Sequence, residues 1–185
     1  GQWQARANRP AETTRIGVMG LGQLGQAVLD ALAHFGFARA GWSRSPRSLP
    51  GVDCMTDLDA FLARTDILIC LLPLTDQTRG ILNDDLFARL PDNAHLVHLG
   101  RGAQLQPGAL ERALDAGLVS AWLDVTNPEP LPADHPLWRD PRVIVTPHVA
   151  SQTNAADGAA HVIAGIRADR AGRAAPGLID RGRGY

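Results

Sequence analysis

The strongest constraint on this chain is the stretch IGVMGLGQLGQAV, which begins at Ile16 and sets Gly20, Gly22 and Gly25 between an apolar run and a helix-like repeat. RIGVMG is rich in strand formers, and Val28, Leu29, Leu32 and Phe35 recur at helical spacing before Gly36 offers a stop. A strand that turns into a helix through Gly-x-Gly-x-x-Gly meets three steric demands. The first glycine makes the tight turn, the second lets a pyrophosphate approach the backbone, and the third lets helix and strand pack closely. The amides of Gln23 and Leu24 would then face phosphates at the positive end of the helix. The stretch therefore predicts a dinucleotide cradle built from Gly20, Gly22, Gln23, Leu24 and Gly25.

The remaining chain keeps the alternation. FARAGWS, DILICLL, AHLVHLG, LVSAWLDV and RVIVTP read as further strands, giving six in all, and DILICLL lacks the alternation of a half-exposed strand, so it is expected to be buried on both faces. DLDAFLART reads as a short helix and DDLFARL as another, capped by Asn83. PGALERALDAG reads as a helix with Pro107 in its first turn and Gly117 at its end. A long closing helix follows in SQTNAADGAAHVIAGIRADRAG, with Ser151 as its expected cap. Strands and helices alternating at this spacing predict an α/β fold, a doubly wound parallel sheet covered on both faces.

The end of the second strand bears on which nucleotide is taken. GWSRSPRS supplies Ser43, Arg44, Ser45 and Arg47 and no carboxylate. Hydroxyl and guanidinium donors suit a 2′-phosphate, whereas an acidic residue there would bind a free ribose. NADP(H) is therefore preferred, with NAD(H) possible. If Arg44 and Arg47 are merely loop surface, the site is indifferent between the two.

Bulk properties narrow the class. A net charge of -1 argues against nucleic acid as a partner, and the 18 basic residues are all Arg, which excludes lysine Schiff-base chemistry. Cys54 and Cys70 have no metal-site spacing and fit a reduced, cytoplasmic setting. No membrane association is expected, because DILICLLPL is far shorter than the roughly 20 residues a span requires. GQWQARANRP carries no export signal.

Three further strand ends carry chemistry: HLGRGAQL, LDVTNPEPLP and TPHVASQT, which offer Arg101, Glu129 and His148. Taken singly, Arg101 reads as a surface-loop residue, Glu129 as a carboxylate held between prolines and His148 as structural. Together with GVMGLGQLG, GWSRSPRSLPGV, LARTDILICLLPLTDQTRGIL, DVTNPEPLPADHPLW and PRVIVTPHVASQT they resemble, in order, the cofactor-binding domain of the D-2-hydroxyacid dehydrogenase family over residues 15 to 155. The likeness is nearest to the glyoxylate/hydroxypyruvate reductase A branch.

The resemblance implies roles. Arg101 would hold the carboxylate and carbonyl oxygen of a small 2-keto acid, His148 would donate the proton, and Glu129 would keep that imidazole charged. Leu72 and Pro73 would line the nicotinamide side, Thr78, Leu99 and Gly100 would lie near the cofactor, and Asp124 would meet the carboxamide. His135, in the long loop ADHPLW, is the weaker histidine candidate, and His95 and His98 read as packing residues with no metal pairing.

It also implies an organisation: residues 1–13 as the end of an interdomain connecting helix, 14–155 as the dinucleotide-binding domain, and 156–185 as a helix and tail returning toward a second, substrate domain that is mostly missing. The family usually pairs through this domain, so a homodimer is expected. A chain limited to these residues is expected to bind NADP(H) and to reduce glyoxylate or hydroxypyruvate poorly or not at all. The alternative is a non-catalytic NADP(H)-binding and dimerisation module. GLGQLG followed by WSRSP also resembles the 3-hydroxyacid dehydrogenases, but these depend on a lysine and a following helical domain that this chain lacks. One departure from the family stands beside Arg101: relatives read Asn-x-Ala-Arg-Gly where this chain reads His98-Leu99-Gly100-Arg101-Gly102, and Gly100 is expected to loosen the backbone there.

Overall fold

The computed structural model describes residues 9–152 and 154–178. The chain divides into two compact units, one ending at Pro147 and the other beginning at His148. In the first unit seven strands form one parallel sheet: β1 (Arg15–Met19), β2 (Ala38–Trp42), β3 (Asp53–Met55), β4 (Ile67–Cys70), β5 (His95–His98), β6 (Ser120–Leu123) and β7 (Val143–Val145). Their order, β3-β2-β1-β4-β5-β6-β7, reverses direction between β1 and β4, as in a doubly wound sheet. The helices of this unit are α1 (Gln23–Leu32), α2 (Leu58–Leu62), α3 (Asp84–Phe87) and α4 (Ala109–Ala116); the second unit contains α5 (Ala155–Arg170).

The α/β expectation holds, with one strand more than the sequence reading gave. That strand, β3, has only three residues, none of them fully buried, so it has neither the length nor the apolar run that marks a strand. Pro107 lies outside α4. Gly108, at φ 73°, takes a left-handed turn that delays the helix to Ala109. Asn154, not Ser151, caps α5, its side-chain oxygen accepting from the Ala156 amide at 2.8 Å, because the helix starts at Ala155. Asn83 caps α3 as expected, accepting from Leu86 at 2.9 Å. Of the expected connecting-helix segment 1–13, residues 1–8 lie outside the described residues, and Ala11–Thr13 form one 3-10 turn. The tail beyond residue 178 also lies outside them. Among the described residues no helix is long and apolar enough to cross a membrane.

The sheet is buried from both sides where it meets helices. On one face Val18 and Ile69 pack with Leu29 of α1; on the other Met19, Leu68 and Leu96 pack with Phe61, Leu62 and Leu110. β4 is buried along nearly its whole length, as its unbroken apolar run required. The α1-side row continues in register through Val97, Trp122 and Ile144. Here the cover stops: Trp122 is 44% exposed and Ile144 50%.

At the opposite end of the strands a buried carboxylate joins β1 to β4. Asp66 accepts the Arg15 guanidinium at 2.6 and 2.9 Å and the Arg15 backbone amide at 2.8 Å, and pairs with Arg9 at 3.0 Å. The Arg15 side-chain hydrogen bonds hold its carboxyl well below the ordinary 3.8, at about 2, against the opposing effect of burial. A carboxyl depressed in the folded state contributes stability above its ordinary range and loses that contribution as pH falls through its folded value. Asp66→Asn is expected to lower unfolding free energy at pH 7 by on the order of 2 kcal/mol, a deficit that shrinks as pH falls from about 4 toward 2. Urea titrations of both proteins across that range check it.

Candidate functional site

The ladder register determines which loops share an edge. Trp42, Met19, Cys70, His98, Leu123 and Val145 are partners in one continuous row, so every loop leaving β2, β1, β4, β5, β6 and β7 departs from the same end of the sheet. Gly20, Ser43, Leu72, Arg101 and Asp124 all follow that row by a few residues, which gathers the sequence candidates of this unit along the carboxyl ends of the strands.

In the glycine turn each of the three positions has its own cause. Gly20 has φ 104°, and a Cβ there would come within 2.8 Å of the Leu71 carbonyl oxygen on the neighbouring strand's exit. A Cβ on Gly25 would overlap the Gly20 carbonyl oxygen, so α1 can approach the turn only without a side chain. Gly22 differs: nothing lies within 4 Å of the position its Cβ would take. That open space borders the exposed Gly22, Gln23 and Leu24 at the start of α1, where no side-chain cap hydrogen bond is made. Gln26 stiffens the turn, its side-chain amide donating to the Leu21 carbonyl at 2.9 Å. Peptide N–H groups at an uncapped helix start beside an open cradle suit a pyrophosphate.

Past the end of β2, the Ser43 hydroxyl donates to the Ser45 carbonyl at 2.7 Å, and the Arg44 guanidinium donates to the Gln77 side-chain oxygen. Gln77 belongs to the turn after β4, so Arg44 bridges two loops of the same edge. Arg47 is exposed. Leu72 is buried and Pro73 half-buried, and the buried Thr78 hydroxyl folds their loop by donating to the Pro73 carbonyl at 2.6 Å and accepting from the Thr75 amide at 2.8 Å.

Arg101 follows β5. Its side chain is exposed and donates to the Gly100 carbonyl at 2.7 Å, while its backbone is held from below. The buried His98 ring faces the Arg101 carbonyl through Nε2 at 3.1 Å, and the buried Gln104 side-chain oxygen accepts the Arg101 amide at 2.8 Å. Burial pushes His98 down to about 4, so it is neutral at neutral pH; a carbonyl can only accept, which assigns the ring proton to Nε2. Nδ1 has no partner among the described residues. His98 is thus more than the packing residue expected from the sequence. Gly100 is not loosened either: a Cβ there would overlap the Gln104 side-chain oxygen, so the amide of Gln104 fills the space that Ala would need.

The Arg101 loop touches the loop that carries Glu129. A Cβ on Gly102 would overlap the Thr126 carbonyl, so the two backbones are in direct contact. Glu129 is exposed and lies between two cis prolyl bonds, Asn127–Pro128 and Glu129–Pro130. Asp124, only 3% exposed, directly follows β6: its amide donates to the His98 carbonyl at 3.0 Å and its carboxylate accepts the Thr146 hydroxyl at 2.6 Å. Leu99 is half-buried against the α1-side core. His148 opens the second unit with φ 54°, a left-handed conformation that few non-glycine residues adopt. His135 accepts from the Leu137 amide at 3.3 Å and caps a short 3-10 turn, a local structural task. The residues that sequence reasoning missed here are Gln77 and Gln104. A glutamine in a loop carries no periodicity or spacing signal, and both act through contacts distant in sequence.

Comparison with known proteins agrees with this geometry. Residues 1–150 match the family described as D-isomer specific 2-hydroxyacid dehydrogenase, NAD binding domain. The chain is 43% identical over 187 residues to the glyoxylate/hydroxypyruvate reductase A of Salmonella paratyphi B, covering 99% of this chain and 60% of that protein. The chain thus spans about 60% of the length of the curated relatives it matches. Among solved structures, a D-isomer specific 2-hydroxyacid dehydrogenase from Xanthobacter autotrophicus Py2 in complex with NADPH and MES superposes with a TM-score of 0.95 at 40% identity, covering 100% of this chain and 78% of that one. An NADPH-dependent glyoxylate/hydroxypyruvate reductase from Sinorhizobium meliloti, in complex with NADP and sulfate, gives 0.94 at 39%, covering 100% and 61%. The glycine cradle, the sheet order and these likenesses lead to one assignment: the chain belongs to the D-isomer specific 2-hydroxyacid dehydrogenases and is built as their NAD binding domain.

Proposed function

We propose that this chain is the NADP(H)-binding part of a reductase for small 2-keto acids, acting on glyoxylate to give glycolate and on hydroxypyruvate to give glycerate. The observation that carries the reading is the open cradle at Gly22 on the start of α1, on the same sheet edge as Arg44 and without a carboxylate at the end of β2. Gly20, Gly22, Gln23, Leu24 and Gly25 would take the pyrophosphate, and Ser43, Arg44, Ser45 and Arg47 the adenosine ribose with its 2′-phosphate. Leu72, Pro73, Thr78, Leu99, Gly100 and Asp124 would border the nicotinamide end. Bound NADPH supplies a hydride to the substrate's carbonyl carbon.

The chain's own residues do the rest. Arg101 pairs with the substrate carboxylate and carbonyl oxygen and stabilises the charge that grows there. His148 would give the proton to that oxygen, with Glu129 as the carboxylate assigned to it by the family resemblance. The domain bounds inferred from the sequence, with 14–155 as the nucleotide-binding part, and a cytoplasmic setting belong to the same reading; the two cysteines, Cys54 and Cys70, are unpaired, in keeping with it.

A second reading, a module that binds nucleotide and pairs with a second copy without turnover, is favoured by the exposed Trp122 and Ile144. A contiguous apolar patch rimmed by polar groups is a usual place for one chain to meet another.

Calorimetric titration with NADPH and NADH, beside a glyoxylate reduction assay, separates these readings. NADPH is expected to bind more tightly than NADH, and Arg44→Ala to weaken NADPH by about tenfold while leaving NADH nearly unchanged. Equal losses for both nucleotides would remove the 2′-phosphate assignment. Gly22→Ala is expected to cost stability no more than about 1 kcal/mol yet to weaken nucleotide by tenfold or more, roughly, whereas Gly25→Ala lowers the thermal midpoint sharply. His148→Ala is expected to cut turnover by about a hundredfold or more wherever turnover is measurable. Light scattering of Trp122→Glu beside the wild type reports on pairing, with a shift toward monomer expected.

A further inference from the structure

We infer that Gln104 is the positioning residue of this site, a buried amide that ties the backbone of Arg101 to the Leu72–Pro73 loop, and that Gly100 exists to make room for it. The inference rests on the reading of Arg101 as the residue that binds the 2-keto acid.

The geometry is a closed set of hydrogen bonds. Gln104 is 0% exposed and is the last residue of the 3-10 turn Gly102–Gln104 that begins after Arg101. Its side-chain oxygen accepts the Arg101 amide at 2.8 Å, and its side-chain nitrogen donates to the Leu72 and Pro73 carbonyls at 3.0 Å each. Both amide hydrogens and the oxygen are therefore used. The Arg101 carbonyl in turn accepts the Gln104 backbone amide at 2.9 Å and faces His98 Nε2 at 3.1 Å. Both polar groups of the Arg101 peptide backbone are thus fixed from beneath by buried residues, while its guanidinium stays exposed.

Leu72 and Pro73 leave β4, and Arg101 leaves β5, the adjacent strand. Farther along, these two loops also meet through their backbones, the Gly80 amide donating to the Ala103 carbonyl at 3.0 Å and the Leu82 amide to the Gln104 carbonyl at 2.9 Å. The Gln104 side chain adds a tie at Leu72 and Pro73 themselves, directly beside Arg101. On the functional reading, one of these loops borders the nicotinamide and the other carries the substrate-binding guanidinium, so this side chain fixes the separation of hydride donor and acceptor. Small errors in such a separation are costly to reaction.

Gly100 completes the argument. Its Cβ position is taken by the Gln104 side-chain oxygen and lies 3.2 Å from the Leu72 carbonyl oxygen. Alanine at 100 would therefore force the end of the Gln104 side chain out of its present seat, and the two positions form a coupled pair.

Hydrogen-exchange mass spectrometry, thermal melts and calorimetry on Gln104→Ala, Gly100→Ala and the double variant test this. Exchange is expected to rise about tenfold or more in peptides spanning residues 71–74 and 99–102 of Gln104→Ala, with the strands β1 and β2 unchanged. Gly100→Ala alone is expected to reproduce that pattern, and to add nothing in the Gln104→Ala background. Binding of oxalate, a carboxylate probe that cannot be reduced, to the NADP⁺-saturated protein is expected to weaken by about tenfold in Gln104→Ala, with NADP⁺ affinity changed by less than about threefold.

Wild-type exchange at residues 99–102 in Gln104→Ala, or equal penalties for Gly100→Ala in both backgrounds, would overturn the clamp. Unaltered oxalate affinity would overturn its positioning role. Failure of the wild-type protein to bind NADP⁺ would sink the functional reading instead, and the exchange and double-variant results would still judge the clamp.

Discussion

The parallel ladder in a single register is the constraint from which the rest of this structure follows. Because Trp42, Met19, Cys70, His98, Leu123 and Val145 pair across the sheet in one row, six loops emerge at a common edge. A slip of one residue in any strand would turn its side chains to the opposite face and exchange buried groups for exposed ones. The penalty is severe for β4, which is buried along almost its whole length, and it extends to β1, whose Met19 and Val18 face different cores. Hydrophobic burial on two faces thus holds the edge on which polar chemistry is assembled. At the other end of the strands, Asp66 bridging to Arg15 fixes the same pairing by charge and hydrogen bonding.

At that edge the chain solves a packing problem with absent side chains. Gly25 admits the Gly20 carbonyl, Gly102 admits the Thr126 carbonyl, and Gly100 admits the Gln104 amide. Each removal of a Cβ brings polar groups nearer than a larger residue would permit. Gly22 has no such neighbour. On the proposed reading, this contrast within one motif separates residues that the fold needs from one that leaves room for a phosphate.

Much of this was legible in the sequence, for identifiable reasons. Long apolar runs announced β1, β4 and β5, and Asn83 announced α3, because burial and capping are local signals. β3 escaped because three mixed residues carry no period, and the start of α4 escaped because Gly108 reaches a left-handed turn that Pro107 alone does not foretell. Arg101, Glu129 and His148 were visible as polar residues after strands, and Arg44 as a guanidinium where a carboxylate is usual. The residues that hold Arg101 were not visible. His98 looked like one more residue of a buried strand, and Gln104 like one more loop polar group, since their partners are backbone atoms whose positions only the fold determines.

Gly100 illustrates why such misreadings arise. Judged by propensity, a glycine beside a key arginine means added freedom, because it lacks the Cβ that restricts the backbone. That judgement assumes the vacated space stays empty. Here a buried amide occupies it and makes three hydrogen bonds in a region shielded from water, where an unpaired polar group would be expensive. The backbone entropy released by losing one methyl group is thereby opposed by bonds that only the smaller residue allows. Rigidity at this position belongs to a pair of residues, and neither of them reveals it when read by itself.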